Sequence, residues 1–155
     1  GGPQVMGDQL EDPDQREGGA LQASGLGVLP LITQFTTTKV LRQREVELSW
    51  PIRTTVQGYE LHQGLTHPTE RSLAATISEE EGLGWHVRGN HAGTYLHGIF
   101  DNGCWRRSWI NQLRAAKQMP ALPLERPHHA TQRLQLLDRL ADAFDEHVNW
   151  SDLLS

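Results

Sequence analysis

The sequence predicts an α/β fold for this chain of 155 residues. Apolar residues alternate with polar ones at Val46, Leu48 and Trp50, which is the period of a half-buried strand. Later in the chain, apolar residues recur at helical spacing in residues 105–116 and again in residues 131–148. Strands followed by helices that each carry one apolar face are expected to form a sheet covered by helices.

Composition and charge indicate an ordinary globular domain. Hydrophobic residues make up 37% of the chain, charged residues 21%, and the formal net charge is −5. Nucleic acids and anionic membranes require clustered Lys and Arg, so we expect neither as a partner. No stretch approaches the ~20 apolar residues of a membrane span. A single cysteine, Cys104, cannot form an internal disulfide, which is typical of a cytoplasmic protein.

The first third of the chain is predicted to contain a helix start, a loop and a turn. Pro3 suits the first turn of a helix that follows Gly1, and a frayed glycine-rich terminus is the alternative. Residues 11–24 are polar and predict a loop. The glycines within residues 25–27 predict a turn into the apolar run 28–32, because they lack the remaining residues of a phosphate-binding loop.

Two further strands and two helices are predicted downstream. Residues 56–62 predict a strand that ends at His62, and residues 85–87 predict a short strand that forms a hairpin with residues 94–96. Trp105 and Trp109 are expected to be core contacts of the first long helix. The last helix is predicted to begin at a Thr131 cap and to close the domain with one apolar stripe, formed by Leu134, Leu137, Ala141, Phe144 and Val148.

Residues 93–103 contain the main candidate functional residue of the chain. A short apolar strand ends at His97, with Gly98 directly after it and an Asp-Asn-Gly turn beyond. Imidazole is the side chain best suited to transfer protons near neutral pH, and a neighbouring glycine permits close approach of a substrate. His97 is therefore a candidate catalytic base, and a histidine that only ends a strand is the alternative.

The sequence around His97 resembles that of the glutamine amidotransferase domain of cobyric acid synthases. Residues 58–64 read GYELHQG and residues 93–100 read GTYLHGIF, and that family has a GYEIH-like strand and a G-x-Y-x-HG-x-F strand in the same order. Residues 25–39, 109–114 and 138–142 extend the match along the chain. The resemblance implies a class I glutamine amidotransferase-like (flavodoxin-like) three-layer domain. Residues 1–155 would be the C-terminal portion of this domain, without the nucleophile strand and a synthetase domain that would lie upstream.

The resemblance also implies the site residues. His97 would be the general base of a Cys-His glutaminase. In class I amidotransferases the nucleophile lies in the motif G-x-C-x-G-x-Q, and the matching cysteine would be the residue immediately before Gly1. Gly1, whose amide would donate to the oxyanion, and Gln4, the glutamine of that motif, would be substrate-binding residues. His62 would border the glutamine pocket, with a hydrogen bond to a neighbouring loop as an equal alternative.

Substrates and cofactors follow from the same resemblance. Glutamine would be hydrolysed, and its ammonia would pass to the synthetase domain, which amidates a corrinoid, adenosylcobyrinic acid a,c-diamide, with ATP and magnesium. We expect no cofactor and no metal site within residues 1–155, because the histidines have no companion cysteine pair. The alternatives are a non-catalytic amidotransferase-like docking domain, or an amidotransferase for another acid such as a cell-wall lipid-linked precursor.

Two positions limit the implied mechanism. Cys104 lies seven residues past His97 without a glycine-flanked elbow, so we expect an ordinary thiol and an inactive fragment. Many class I amidotransferases carry a glutamate two residues after the catalytic histidine, where this chain has Ile99. The acid that orients His97 is therefore unidentified, and Asp101 is the nearest carboxylate downstream.

Overall fold

The computed structural model describes residues 2–16, 18–69, 75–78, 80, 82–87 and 91–148. This part of the chain contains three α-helices and eight β-strands. In chain order they are α1 (Gly2–Met6), β1 (Gln9–Glu11), β2 (Gln22–Ser24), β3 (Leu31–Leu48), β4 (Thr54–Pro68), β5 (Ala75–Thr76), β6 (Gly84–Val87), β7 (His91–Thr94), β8 (Leu96–His97), α2 (Gly103–Ala116) and α3 (His129–His147).

The described strands form a five-stranded and a three-stranded sheet. The larger sheet has the order β2-β1-β3-β4-β8, and the smaller one has the order β5-β6-β7. β1 and β3 run parallel, whereas all other described neighbours are antiparallel. Central strands with helices confirm the α/β class.

β3 and β4 are longer than the sequence pattern predicts. They pair from Leu31↔Pro68 to Leu48↔Thr54, with a register shift between Gln34 and Lys39. The prediction that the second strand ends at His62 is therefore wrong. Beyond that residue the strand is kept by its pairing with β3, and its partly exposed side chains give no simple apolar alternation.

The loop predicted for residues 11–24 is only partly correct, because both of its ends are strand. β1 reaches Glu11, and β2 occupies Gln22–Ser24. Every residue of β2 is exposed and none of β1 is fully buried. Strands without a buried face leave no alternation in the sequence, so only the pairing partners reveal them.

The chain passes from one sheet to the other at Tyr95. β6 and β7 form a hairpin as predicted, from Gly84↔Thr94 to Val87↔His91, but its second strand lies at residues 91–94 rather than 94–96. Tyr95 is buried between the two sheets, and β8 then pairs with β4. The predicted single strand before His97 is therefore divided, which brings His97 to an edge of the larger sheet.

Two apolar clusters stabilise these sheets. The larger cluster contains the predicted helix residue Trp105, and Trp109 packs against it partly buried. Its buried members are Val46, Leu48, Val56, Ile77, Leu83, Leu96, Ile99 and Trp105. The smaller cluster, beneath α1, consists of Leu29, Leu31, Trp85 and Tyr95.

Helix α3 forms as predicted, but it does not close the described part of the domain. None of its residues is buried, and Leu134 and Phe144 on its apolar stripe are 61% and 49% exposed. Its cap is His128, whose Nδ1 accepts a hydrogen bond from the amide of Ala130, rather than Thr131. Sequence periodicity identifies an apolar stripe but not the surface that would cover it. None of the described helices is long and apolar enough to span a membrane.

Candidate active site

A groove of about 500 Å³ lies where α1, β3, β4 and β8 meet. It brings together three residues predicted from the sequence, Gln4, His62 and His97, which are far apart along the chain. The fourth, Gly1, lies outside the described residues. The complete lining is Gln4, Val5, Leu10, Phe35, Lys39, Leu61, His62, Gln63 and His97.

His97 presents an exposed imidazole at the end of β8. Its ring stacks on the ring of Tyr59, with a centroid distance of 4.8 Å and an interplanar angle of 10°. Tyr59 is the residue directly opposite on β4. Gly98 follows with φ of 80°, in the left-handed region that favours glycine, so the chain can turn away immediately after His97.

His62 lies within β4, where both of its ring nitrogens are engaged. Nδ1 lies 3.0 Å from the backbone oxygen of Gly64, and Nε2 lies 2.9 Å from Oε1 of Glu60. The ring also stacks on Tyr95 at 4.2 Å. The hydrogen bonds of His62 thus stay within its own strand, and the remaining surface of the ring lines the groove.

Glu60, two residues before His62 on β4, has a buried carboxylate that contacts the His62 ring. Its Oε2 accepts a hydrogen bond from Nε of Arg42 at 2.8 Å and lies 3.4 Å from a guanidinium nitrogen of Arg44. Burial alone would raise the pKa of Glu60, but the hydrogen bonds from Arg42 and His62 and the two arginine charges together lower it. Glu60 is therefore held as an anion that fixes the orientation of His62.

Gln4 connects α1 to the sheet. Its side chain is buried, and Nε2 donates to the backbone oxygen of Gln63 at 3.0 Å. Gln63 in turn donates from Nε2 to the backbone oxygen of Thr36 at 2.9 Å. This sequence of contacts fixes the helix start, the groove wall and the irregular part of β3 relative to each other.

Six lining residues have no role predicted from the sequence, and Phe35, Lys39 and Gln63 are among them. Lys39 follows the register shift of β3, and such irregularities redirect side chains near binding sites. Lys39 is the one Lys or Arg among the described residues that line the groove. The alternation of β4 could have placed Gln63 on one face with Leu61, but the shift in β3 has no such signal.

Cys104 is separate from this groove. It is the second residue of α2, half-buried, and it is not among the groove-lining residues. Among the residues that the structure describes, no three His, Cys, Asp or Glu side chains form a metal-binding group. The arrangement supports proton transfer between the exposed imidazole of His97 and a polar substrate. Such a substrate would bind beside the amide side chains of Gln4 and Gln63 and the cationic side chain of Lys39.

Comparison with known proteins identifies the family of this chain. Residues 1–105 match the family model of the CobB/CobQ-like glutamine amidotransferase domain. The chain is 51% identical to the cobyric acid synthase of Parasynechococcus marenigrum (strain WH8102), over 99% of this chain and 32% of that protein. It is 49% identical to the cobyric acid synthase of Synechococcus sp. (strain RCC307), over 100% and 31%. For that of Synechococcus sp. (strain WH7803) the identity is 48%, over 99% and 33%. The chain thus spans about a third of the length of these curated relatives.

Proposed function

Because the chain belongs to the CobB/CobQ-like glutamine amidotransferase domain family, we propose that it is the glutaminase portion of a cobyric acid synthase. In this proposal it hydrolyses glutamine in the cytoplasm and supplies ammonia for ATP-dependent amidation of the side-chain carboxylates of adenosylcobyrinic acid a,c-diamide. The observation that carries the proposal is the meeting of His97, His62 and Gln4 in one groove.

The reaction requires a thiol nucleophile in addition to His97. By resemblance, the proposed nucleophile is a cysteine immediately before Gly1. His97 takes the thiol proton, and the thiolate attacks the side-chain amide carbon of glutamine. His97 then returns the proton to the amide nitrogen as the carbon–nitrogen bond breaks, which releases ammonia and leaves a glutamyl thioester. Water, deprotonated by His97, cleaves the thioester to glutamate and the free thiol.

The remaining groove residues have separate proposed roles. The amide of Gly1 donates to the oxyanion that forms during each attack. Gln4 and His62 form the walls that hold glutamine, and their positions are set by the contacts to Gln63 and Glu60. Lys39 offers a positive charge for the α-carboxylate of glutamine, since a carboxylate that leaves water needs a cationic partner.

ATP and magnesium belong to a different part of the proposed enzyme. The described residues contain no cluster of metal ligands, and residues 25–27 lack the features of a phosphate-binding loop. We propose that both bind to a synthetase portion outside these 155 residues. When bound there, ATP activates the corrinoid carboxylate for attack by ammonia.

The test is His97→Ala in the full-length protein, assayed with glutamine and with ammonium salts as nitrogen donors. We expect glutamine-dependent amidation to fall about 10²-fold or more, because general acid–base assistance is lost. Ammonia-dependent amidation should be unchanged, because that step takes place elsewhere.

His67→Ala is the matched control, since His67 is an exposed histidine on the same β4 strand as His62. It should retain both activities. Wild-type glutamine-dependent rates in His97→Ala would remove His97 from the mechanism and with it the proposed function.

A further inference from the structure

His97 has no hydrogen-bonded partner for its ring among the described residues. The position where many class I amidotransferases carry an orienting glutamate is Ile99, which is 4% exposed and packs in the core with Trp105. An imidazole that must transfer protons in a fixed direction needs another means of orientation.

Glu60, which lies opposite Leu96 on β4, and Asp101, four residues past His97, both have other partners. Glu60 is occupied by Arg42, Arg44 and His62. Asp101 is exposed, and its Oδ1 lies 3.9 Å from Nδ1 of His129. Neither carboxylate forms a hydrogen bond or an ion pair with the His97 ring.

Tyr59 contacts His97 through its ring face instead. The two rings are nearly parallel, 10° apart, with centroids separated by 4.8 Å. The residues lie directly opposite on antiparallel strands, where cross-strand side chains are close enough to interact. Stacking at this distance restricts rotation of the imidazole about its Cβ–Cγ bond.

The backbone beside this pair is tightly packed. A Cβ added to Gly58 would lie 2.3 Å from the backbone oxygen of His97, so only glycine permits β4 and β8 to approach this closely. Tyr59 and His97 therefore lie on two strands whose separation is fixed at Gly58, the residue before Tyr59. Such support gives the rings a defined geometry although both are partly exposed to solvent.

We propose that Tyr59 is a positioning residue for His97, and that its aromatic face replaces the orienting carboxylate. This inference rests on the proposed role of His97 in glutamine hydrolysis. The ring of Tyr59 holds the imidazole plane toward the groove, and an aromatic face also attracts a cation, which favours the step in which His97 carries the additional proton.

The experiment compares Tyr59→Leu with Tyr59→Phe in the full-length protein. Leucine keeps an apolar side chain but no ring, whereas phenylalanine keeps the stack and lacks only the hydroxyl. We expect the kcat for glutamine hydrolysis to fall roughly three- to tenfold in Tyr59→Leu, the range for loss of an aromatic pair. The KM for glutamine and the ammonia-dependent rate should stay constant, and Tyr59→Phe should retain the wild-type kcat.

Leu65→Ala is the control, because Leu65 is an exposed apolar residue on the same strand and does not line the groove. Wild-type kcat in Tyr59→Leu, or an equal loss in Tyr59→Phe, would overturn the proposal. So would a rise in KM at constant kcat, which would assign Tyr59 to substrate contact, or a parallel loss of ammonia-dependent activity, which would assign it to folding. An active His97→Ala enzyme would instead contradict the proposed function itself.

Discussion

Glu60 is the residue at which the charged contacts near the groove converge. Its carboxylate is hydrogen-bonded to Arg42 and His62 and lies close to Arg44. These groups compensate the negative charge of a side chain that is only 8% exposed to water. Arg42 is 59% exposed, so solvent screens its share of the interaction. Arg44 is 12% exposed and adds a charge that water screens less.

Replacing Glu60 by Gln should therefore destabilise β4 in a pH-dependent way. Because the pKa of Glu60 is lowered in the fold, its ionised form contributes stability at neutral pH, and this contribution is lost as the pH falls through the lowered pKa. We expect a loss of about 1–2 kcal/mol at neutral pH that shrinks on acidification. Hydrogen–deuterium exchange of β4 peptides, compared between wild type and variant at each pH, measures this difference.

Glu45→Gln is the control for this measurement. Glu45 is an exposed carboxylate on β3 that accepts a hydrogen bond from Gln57. Its replacement should have little effect at any pH. A constant difference between wild type and Glu60→Gln across the pH range would show that the charge of Glu60 does not contribute.

Among the elements, β8 is the one that carries His97, and it has only two residues. Asn102 extends its attachment to β4. Its Oδ1 accepts from the amide of Gln57 at 2.9 Å, and its Nδ2 donates to the carbonyl of Gln57 at 2.8 Å. The same amide group lies within hydrogen-bonding distance of the carbonyl oxygens of Gly98 and Ile99. The buried side chain of Asn102 thus makes a pair of hydrogen bonds to β4 that takes the place of backbone pairing beyond the end of β8.

Asn102→Asp should loosen β8 although the two side chains have almost the same shape. Aspartate keeps the acceptor for Gln57 but loses the amide donor and places negative charge beside carbonyl oxygens. We expect a local destabilisation of about 1–3 kcal/mol. The measurements are faster exchange of the β8 amides and a reduced kcat for glutamine hydrolysis, with ammonia-dependent amidation retained.

Asn111→Asp offers a closely matched control. Asn111 makes the same pair of hydrogen bonds with the backbone of Leu122, but it joins α2 to the following connector rather than to β8. Its replacement should leave glutamine hydrolysis unchanged. Equal effects of the two substitutions on glutaminase kcat would contradict a specific role of Asn102 in holding β8.

At the scale of the whole molecule, the groove and the single cysteine lie on different elements. The groove is formed by the start of α1 and by strands of the larger sheet, whereas Cys104 belongs to α2. Catalysis by Cys-His chemistry requires both groups within hydrogen-bonding reach. Under the proposed function, Cys104 is therefore not the nucleophile for a substrate bound in this groove.

We predict that the chain of 155 residues alone shows no measurable glutaminase activity, because loss of the nucleophile removes about 10⁶ in rate. A glutamine-analogue electrophile should not label Cys104 under conditions that label the full-length protein, as measured by mass spectrometry. A denatured sample, in which the thiol is accessible, is the control for its reactivity. Stoichiometric labelling of Cys104 that glutamine prevents would contradict the prediction.

Local sequence patterns were sufficient for several elements and for the choice of His97 as the candidate base. The helix that contains Trp105 and the hairpin of β6 and β7 are both present in the structure, because each is encoded by neighbouring residues. The resemblance in residues 93–100 led to the family that the comparisons confirm. In physical terms, periodic burial and turn chemistry are local properties, so they can be recognised without knowing the fold.

Only the tertiary structure decided how these pieces meet. The extension of β4 beyond His62, the pairing of Tyr59 with His97 and the exposed stripe of α3 depend on contacts between distant residues. Strand register is selected by the whole surface that two strands bury together, and a helix stripe stays exposed unless another surface reaches it. For that reason the sequence determined that this protein has a histidine suited to proton transfer, whereas the fold determined what stands beside it.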